Sequence, residues 1–250
     1  MPGEARFEEK KQHGSQWFPL NIYPCTIPRD FPTVALHWHT SMELVYIKKG
    51  QGEVLVGSGW MAAEAGDIFV ISPGVLHALR GVQGERMEYE NIIFDPELLG
   101  TGTADGCAQK YLIPLAAGRM PLPQRLRLGE AGYGAAAACL ADVEFLCGER
   151  GPGYEIGVKA SLLRFLFFAA AHAGATAARR RAGYPAPEKS AATRGNRLRP
   201  VDAHRGDGRR MRVQPQPFYA VVQANDRHQL CRLPQRAPPG RCRRAPAPDR

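Results

Sequence analysis

The sequence predicts a mainly β fold of antiparallel strands, followed by a pair of helices and a basic tail. From Thr33 to Phe94 the apolar residues recur with a period of two, which is typical of strands with one buried face. Glycines interrupt this region at short intervals, and no helix-length segment separates the candidate strands. Short strands at close spacing favour a β-sandwich or a β-barrel, and nothing indicates the long crossovers that parallel strands need.

The β region is expected to span residues 31–95 and to contain five strands. Residues 1–30 precede it and are interpreted as an N-terminal arm, because Pro19, Pro24 and Pro28 are typical turn formers. Within the β region, glycines mark the turns between strands. The five candidate strands are Met42–Lys49, Gly52–Gly57, Asp67–Ile71, His77–Arg80 and Glu88–Phe94.

Two amphipathic helices are expected after the β region. Residues 96–130 form an irregular connection, and residues 131–178 form a helical segment with helices at about 135–147 and 154–172. Each helix has an apolar face too wide for an isolated surface helix, so it must cover the barrel, a second subunit or both. The apolar positions are Leu140, Val143, Leu146 and Cys147 in the first helix and Ile156, Leu162, Leu163, Leu166 and Phe167 in the second.

Residues 179–250 differ from the rest of the chain in composition and in charge. They carry eighteen Lys and Arg against five Asp and Glu, a net charge of +13, whereas the preceding residues carry −4. Arg, Pro, Ala and Gly dominate, and no apolar stripe lasts for two turns, so this tail is expected to be disordered. A basic tail by itself favours a nucleic acid or another polyanion as partner.

The remaining composition favours a soluble cytoplasmic protein. The first ten residues are charged and do not resemble a signal peptide. The most apolar run, from Leu162 to Ala178, is short for a membrane span and is interrupted by Arg164 and His172. None of the six cysteines lies in a Cys-x-x-Cys pair, so free thiols in a reducing cytoplasm are expected.

Three histidines and one glutamate form the most informative candidate site. His37, His39 and Glu43 occupy odd positions, so on an extended segment their side chains point to one face. His77, which follows a Ser-Pro-Gly turn, is the fourth candidate. Imidazole and carboxylate groups suit Fe, Mn, Ni, Cu and Zn, so the set could bind a divalent transition metal. Alternatively, the same residues line a polar effector pocket or hydrogen-bond across the barrel.

The spacing of these residues resembles the two motifs of the cupin superfamily. The segment His-x-His-x3-Glu-x6-Gly, which begins at His37, is similar to the first motif. The segment Gly-Asp-Ile-Phe-Val-Ile-Ser-Pro-Gly-Val-Leu-His, which begins at Gly66, is similar to the second. The resemblance implies a cupin double-stranded β-helix, also called a jelly-roll barrel. In metal-binding cupins the ligands occupy the positions of His37, His39, Glu43 and His77.

Within the cupins, the sequence resembles the arabinose-binding-like sensor and dimerisation domain of AraC-type transcriptional regulators. The resemblance is carried by His-x-His-x3-Glu-Leu, by a strand ending in Gly-x-Gly and by the Gly-Asp-x-Phe-x-Ile-x-Pro-Gly-x-Leu-His segment. The two helices also lie where that family places its dimerisation helices. Gly81 departs from the cupin pattern, which often has Asn four residues after the second-motif His. The resemblance implies a small-molecule effector inside the barrel and a homodimer, and in this family a metal is often absent even where the histidines remain.

The tail resembles, in another reading frame, part of the DNA-binding module of AraC-type regulators. One permitted coding of Arg212–Arg232, read after its first base is dropped, gives Gly-Phe-Ser-Pro-Ser-His-Phe-Met-Arg-Trp-Phe-Lys-Gln-Met-Thr-Gly-Thr-Ser-Phe-Val. This peptide resembles the second helix-turn-helix of the family. In the frame as written, Pro215 and Pro217 disfavour a helix. We therefore interpret residues 179–250 as a frameshifted remnant that makes only non-specific contact with DNA.

These observations leave two main functions open. The first is the effector-binding and dimerisation part of an AraC-type regulator whose DNA-binding module is non-functional, with no catalytic residue. The second is a stand-alone metal-dependent cupin enzyme, either a dioxygenase or an isomerase. The sequence shows no further acid–base pair beside the cluster, which favours the regulator. A nucleic-acid binder acting through its basic tail is disfavoured because the basicity follows from the frame, and no membrane partner is expected.

Overall fold

Eight strands and three helices lie in the part of the chain that the computed structural model describes, residues 7–102 and 105–181. Side chains of the last helix are described as far as Gly174. The strands are β1 (Leu20–Ile27), β2 (Thr33–His37), β3 (Met42–Val56), β4 (Gly59–Glu64), β5 (Ile68–Ile71), β6 (His77–Gly81), β7 (Met87–Phe94) and β8 (Arg125–Leu126), and the helices are α1 (Ile113–Ala116), α2 (Tyr133–Glu149) and α3 (Tyr154–Arg181). All the pairings between these strands are antiparallel. The predicted fold class, a mainly β fold followed by helices, is confirmed.

Two sheets share β3 and together form the barrel. The first sheet has the strand order β1-β7-β3-β5-β8. In the second sheet, β6 lies between β2 and the C-terminal half of β3, and β4 pairs with the other edge of that half. A side-chain contact from His77 on β6 to Glu43 at the start of β3 joins the two sheets across the interior. This arrangement places His77 of the second motif opposite Glu43 of the first motif.

Helices α2 and α3 cover the outer face of the first sheet. Met42 and Leu44 lie on the face of β3 opposite to Glu43, yet both are fully buried. They belong to one apolar cluster with residues of α2 and α3. This packing explains why apolar residues occupy both faces of β3. The helix residues buried most deeply in this cluster are Ala136, Cys139, Leu140, Val143, Val158, Leu162, Phe165 and Ala169.

The expected N-terminal arm is shorter than residues 1–30, because residues 20–27 are strand β1. This strand pairs with β7 in continuous register from Leu20 opposite Phe94 to Ile27 opposite Met87. Pro24, which lies within β1, is tolerated because β1 is an edge strand, where a residue without an N–H group need not break a ladder. Pro19 and Pro28 flank the strand. The barrel therefore begins earlier than the predicted boundary at residue 31.

The two strands expected at Met42–Lys49 and Gly52–Gly57 are one continuous strand, β3. Its N-terminal half pairs with β5 and β7, and its C-terminal half pairs with β4 and β6. Gly50 lies between the halves with a φ of 74°, in the left-handed region that favours glycine. A Cβ at this position would overlap the carbonyl oxygen of Arg86. Gly50 thus marks a bend within one strand, whereas the sequence pattern suggested a turn between two strands.

Both expected helices are present and extend beyond the predicted bounds. Leu162 and Leu166 are buried, as their spacing predicts. Ile156 and Phe167, however, are 75% and 66% exposed, and Phe145 of α2 is 67% exposed. These three side chains therefore do not serve to cover the barrel.

The connection between barrel and helices contains regular structure, although an irregular segment was expected over residues 96–130. A 3-10 turn forms at Pro96–Leu99, a π-helical turn at Ala108–Leu112 leads into α1, and β8 adds to the first sheet. Among the described residues, Tyr154–Gly174 alone is long and apolar enough to cross a membrane by length and composition. Its buried residues pack in the same apolar cluster as the sheet. Helix α3 continues to Arg181, so it includes the first three residues of the predicted tail, 179–250, and the rest of that tail lies outside the described residues.

Candidate ligand and metal site

The structure brings together all four residues predicted as the site. His37 ends β2, His39 lies in the short connection that follows, Glu43 is near the start of β3, and His77 begins β6. One ligand atom from each of the four lies within 4.8 Å of the others. His39, Glu43 and His77 are almost fully buried. The period-two argument for the first three residues therefore matches the observed side-chain placement, and the β2–β6 pairing supplies the fourth.

Glu43 is the centre of the cluster. Its Oε2 atom lies 2.8 Å from His39 Nε2 and 3.1 Å from His77 Nε2. The carboxylate accepts hydrogen bonds, so both imidazoles present an N–H to it in this arrangement. Burial raises the pKa of Glu43, but the charges and hydrogen bonds of His77 and His39 outweigh burial and hold it well below its usual range. Glu43 is therefore ionised at neutral pH.

Each of the three histidines is anchored in the same way on its other ring nitrogen. The Nδ1 atoms of His37, His39 and His77 lie 2.8, 3.0 and 2.8 Å from backbone carbonyl oxygens two residues away in the chain. A carbonyl oxygen can only accept, so each Nδ1 carries a proton. The three Nε2 atoms consequently point toward the common centre at Glu43. Anchoring of one ring nitrogen by a carbonyl is the usual outer-shell arrangement of histidines that bind metal through the other.

The protonation of the histidines differs because their surroundings differ. Burial and the charge of the neighbouring His77 together lower the pKa of His37 to about 4. Burial also opposes the charged form of His39, but the hydrogen bond and the charge of Glu43 raise its pKa above the usual value. The cluster thus combines a neutral imidazole, a carboxylate and an imidazole that favours its cationic form.

Two further ionisable residues beside the cluster were not predicted. Glu9 Oε2 lies 3.4 Å from His37 Nε2, and the ring of His13 lies 6.0 Å from that of His39. Burial raises the pKa of Glu9, whereas burial and the charge of His39 lower the pKa of His13 to about 4. The odd positions of Glu9, Lys11 and His13 carried the same period-two signal as the predicted cluster. Glu9 and His13 contradict the expectation that no further acid–base pair lies beside the four.

The N-terminal segment reaches the cluster by pairing with the connection after β2. Glu9 N–H donates to the carbonyl of Trp38 at 2.8 Å, and Trp38 N–H donates to the carbonyl of Phe7 at 2.9 Å. His13 Nδ1 lies 3.0 Å from the hydroxyl of Tyr23, which belongs to β1. The part of the arm that precedes β1 thus packs against the site.

Comparison with known families identifies the domain. Residues 22–166 match the family described as AraC-like ligand binding domain. The chain belongs to this family. The match begins within β1 and ends within α3, so it includes nearly all of the barrel, the four-residue cluster, all of α2 and the first part of α3. The cupin-like barrel and the membership of a ligand-binding family inferred from the two motifs are therefore confirmed. No curated protein matches the chain.

Several solved structures are similar to a part of the AraC-like domain. A conserved protein of unknown function from Streptococcus pyogenes is 19% identical over 31% of this chain and 65% of its own, with a TM-score of 0.27. A predicted oxalate decarboxylase from Thermotoga maritima is 24% identical over 29% of this chain and 64% of its own, with a TM-score of 0.27. A cupin protein from Bacteroides fragilis is 19% identical over 35% of this chain and 67% of its own, with a TM-score of 0.25. The match thus spans about two thirds of each of these chains.

Proposed function

We propose that this AraC-like domain is the effector-sensing and dimerisation part of a transcriptional regulator. A small-molecule effector binds in the barrel interior beside His37, His39, Glu43 and His77. The observation that carries this proposal is the buried polar cluster inside a domain of a ligand-binding family. A few convergent polar side chains among apolar residues are typical of ligand sites, so a cluster of this kind inside the barrel supports a binding role.

The donor set of the cluster also fits a divalent transition metal. Three Nε2 atoms and one carboxylate oxygen converge, and each imidazole keeps a proton on Nδ1. His39 and His77 would release the Nε2 proton that they present to Glu43 when Nε2 becomes the ligand atom. Imidazole and carboxylate are the ligands of Fe, Mn, Ni, Cu and Zn. When bound, such an ion supplies a Lewis-acidic centre that an effector oxygen or nitrogen can reach. His37, His39, Glu43 and His77 would hold it.

Titration with cobalt(II) tests whether the cluster binds metal. The wild-type chain should bind about one equivalent, with visible absorption of the bound ion. His77→Ala should abolish this absorption, whereas His172→Ala should leave it unchanged, because His172 lies on α3 near Ala131 and outside the cluster. Binding should weaken as the pH falls, because His39, whose pKa is raised by Glu43, must be neutral to bind the ion. Equal cobalt binding by the two variants would contradict a metal at this site.

The exposed apolar side chains of α2 and α3 support dimerisation through these helices. Phe145, Ile156 and Phe167 are each about two thirds or more exposed, although their helices otherwise bury apolar residues. Large exposed apolar groups on adjacent helices are characteristic of an interface, and in a homodimer the same face of a second copy covers them.

Sedimentation velocity tests this dimer. Phe167→Glu should convert a dimeric chain to a monomer at micromolar concentration, because it places a charge in an apolar interface. Trp17→Glu is the matched control, since Trp17 is 88% exposed and lies in the turn before β1. A Phe167→Glu variant that sediments like the wild type would contradict dimerisation through α3.

A metal-dependent cupin enzyme remains the second candidate because Glu9 lies beside the cluster. A buried carboxyl whose pKa is raised by burial can act as a general acid or base next to a metal. Oxygen consumption by the metal-loaded chain with catechol as substrate tests the dioxygenase alternative. Turnover that is lost in Glu9→Gln would favour the enzyme, whereas an unchanged oxygen level favours the sensor.

For DNA, we propose non-specific contact alone. The eighteen basic residues of the tail can neutralise phosphates, but sequence discrimination needs positioned contacts to bases. A competition titration should therefore show weak binding to specific and scrambled duplexes alike, with a steep loss as salt rises. Selective binding at physiological salt would show that residues 179–250 read sequence and that the frameshift interpretation is wrong.

A further inference from the structure

One pair of opposite charges lies at the seam between α2 and α3. Arg164 Nη1 of α3 lies 4.0 Å from Asp142 Oδ2 of α2, and both side chains are more than half exposed. One turn later in α2, the Leu146 side chain lies against Gly157, which is two turns before Arg164 in α3. The two helices are therefore antiparallel, and the charged pair is on the solvent side of the seam.

Exposed apolar side chains flank this pair on both helices. Phe145 follows Asp142 by one turn of α2. In α3, Phe167 follows Arg164 by one turn and Ile156 precedes it by two turns. The buried residues of both helices pack toward the first sheet, so this outer face is the side turned away from the barrel. The charged pair is thus enclosed by apolar groups from the two helices.

Any molecule that covers this face removes the two charges from water. A charge buried in an interface is costly unless it is paired and hydrogen-bonded. The separation of 4.0 Å within one chain is longer than a charge-assisted hydrogen bond. A guanidinium has five N–H donors and a carboxylate has two acceptor oxygens, so each group can bond a second partner. The covering surface must therefore bring a base to Asp142 and an acid to Arg164.

We infer that the pair selects a second copy of this chain as the occupant of the face, with Asp142 of each copy bonded to Arg164 of the other. In a twofold dimer both copies present the same patch, so the patch must be complementary to itself. A seam that carries one charge of each sign meets this condition, because a twofold axis through it places the acid of one copy opposite the base of the other. Charges beside an apolar helical interface set partner and orientation in this way.

This inference rests on the proposed dimer and names the contact that selects its partner, so the experiment separates the two. Full-length chains with Asp142→Arg or Arg164→Asp are compared with the wild type by sedimentation velocity at micromolar concentration. Each reversal brings like charges together across the twofold axis, so the dimer dissociation constant should rise by about a hundredfold or more.

An equimolar mixture of the two variants should form a heterodimer, which native mass spectrometry identifies by its mass. The reason is that the two bases of one chain then meet the two acids of the other. Mixing cannot relieve the repulsion inside either chain, so recovery of the dimer reports contacts between chains alone. The chain that carries both reversals regains opposite charges and should dimerise like the wild type.

Glu53→Arg and Arg80→Glu are the matched controls, because they reverse an exposed pair at 2.6 Å on β3 and β6, away from the helices. Both should remain homodimeric, and their mixture should contain heterodimers only in the statistical proportion. Urea unfolding should give midpoints close to the wild type for all four single variants, since exposed ion pairs contribute little to stability.

The outcomes distinguish the pair from the dimer itself. A wild-type chain that is monomeric at micromolar concentration would overturn the proposed dimer and the inference with it. A dimeric wild type whose single reversals also dimerise would overturn the role of the pair and leave the dimer standing. The same conclusion would follow if the mixture, or the doubly reversed chain, stayed monomeric.

Discussion

Replacement of Glu43 by glutamine is the sharpest test of the cluster as a buried electrostatic unit. Glu43 is 1% exposed and its Oε2 atom receives hydrogen bonds from His39 and His77. Glutamine keeps the shape and one acceptor oxygen but removes the charge. The variant therefore isolates the charge-assisted part of two buried hydrogen bonds.

The expected loss follows from the burial and the number of partners. A hydrogen bond to a charged group contributes about 1.5–3 kcal/mol, and breaking a buried ion pair costs about 3–5 kcal/mol. Because glutamine retains one acceptor for His39 or His77, we expect a loss of about 3 kcal/mol in the free energy of unfolding of Glu43→Gln. For an ordered region of this size, that corresponds to a fall of about 6–12 °C in the melting temperature.

The assay is thermal and urea-induced unfolding at pH 7 in the presence of a chelator, so that a bound metal does not contribute. Glu53→Gln is the matched control on the same strand. Glu53 accepts from Arg80 at 2.6 Å, but its side chain is 33% exposed, and such surface pairs contribute about 0–1 kcal/mol. Equal unfolding midpoints for the two variants would refute the conclusion that the Glu43 carboxylate is a buried, ionised hydrogen-bond acceptor.

Three other predictions follow from the barrel and the tail. Gly50→Ala should lower the free energy of unfolding by about 2–4 kcal/mol, because alanine is strained at positive φ and its Cβ would overlap the Arg86 carbonyl oxygen. Gly59 has open space around it, so Gly59→Ala should hardly change the urea unfolding midpoint. Relative to His13→Phe, the wild type should lose stability as the pH falls from about 6.5 to 4, because the imidazole of the unfolded chain protonates before that of the folded chain. A folded-state pKa of about 4 corresponds to a loss of about 3 kcal/mol in the free energy of unfolding over that range, which urea unfolding at each pH measures. Limited proteolysis should remove residues 179–250 first, and a resistant C-terminal fragment would contradict the composition argument.

The four-residue cluster could be predicted because the spacing of its residues is visible within short segments of the sequence. His37, His39 and Glu43 follow the alternation of an extended segment, and His77 belongs to a recognisable second motif. Glu9 and His13 escaped prediction because their position depends on the pairing of the N-terminal segment with Trp38, about thirty residues later in the chain. The alternation of residues within the N-terminal segment does not indicate which distant segment it will contact.

Sequence alone was sufficient for the mainly β class, the two long helices and the convergence of three histidines with one glutamate, because period and motif spacing are carried by residues close together in the chain. The folded structure was needed to show that residues 20–27 are an edge strand, that Gly50 bends one strand, and that Glu9 and His13 lie beside the cluster. These features arise only when strands distant in sequence pair and exclude water. Burial and hydrogen-bond satisfaction are properties of the closed barrel, and no single segment of the chain contains them.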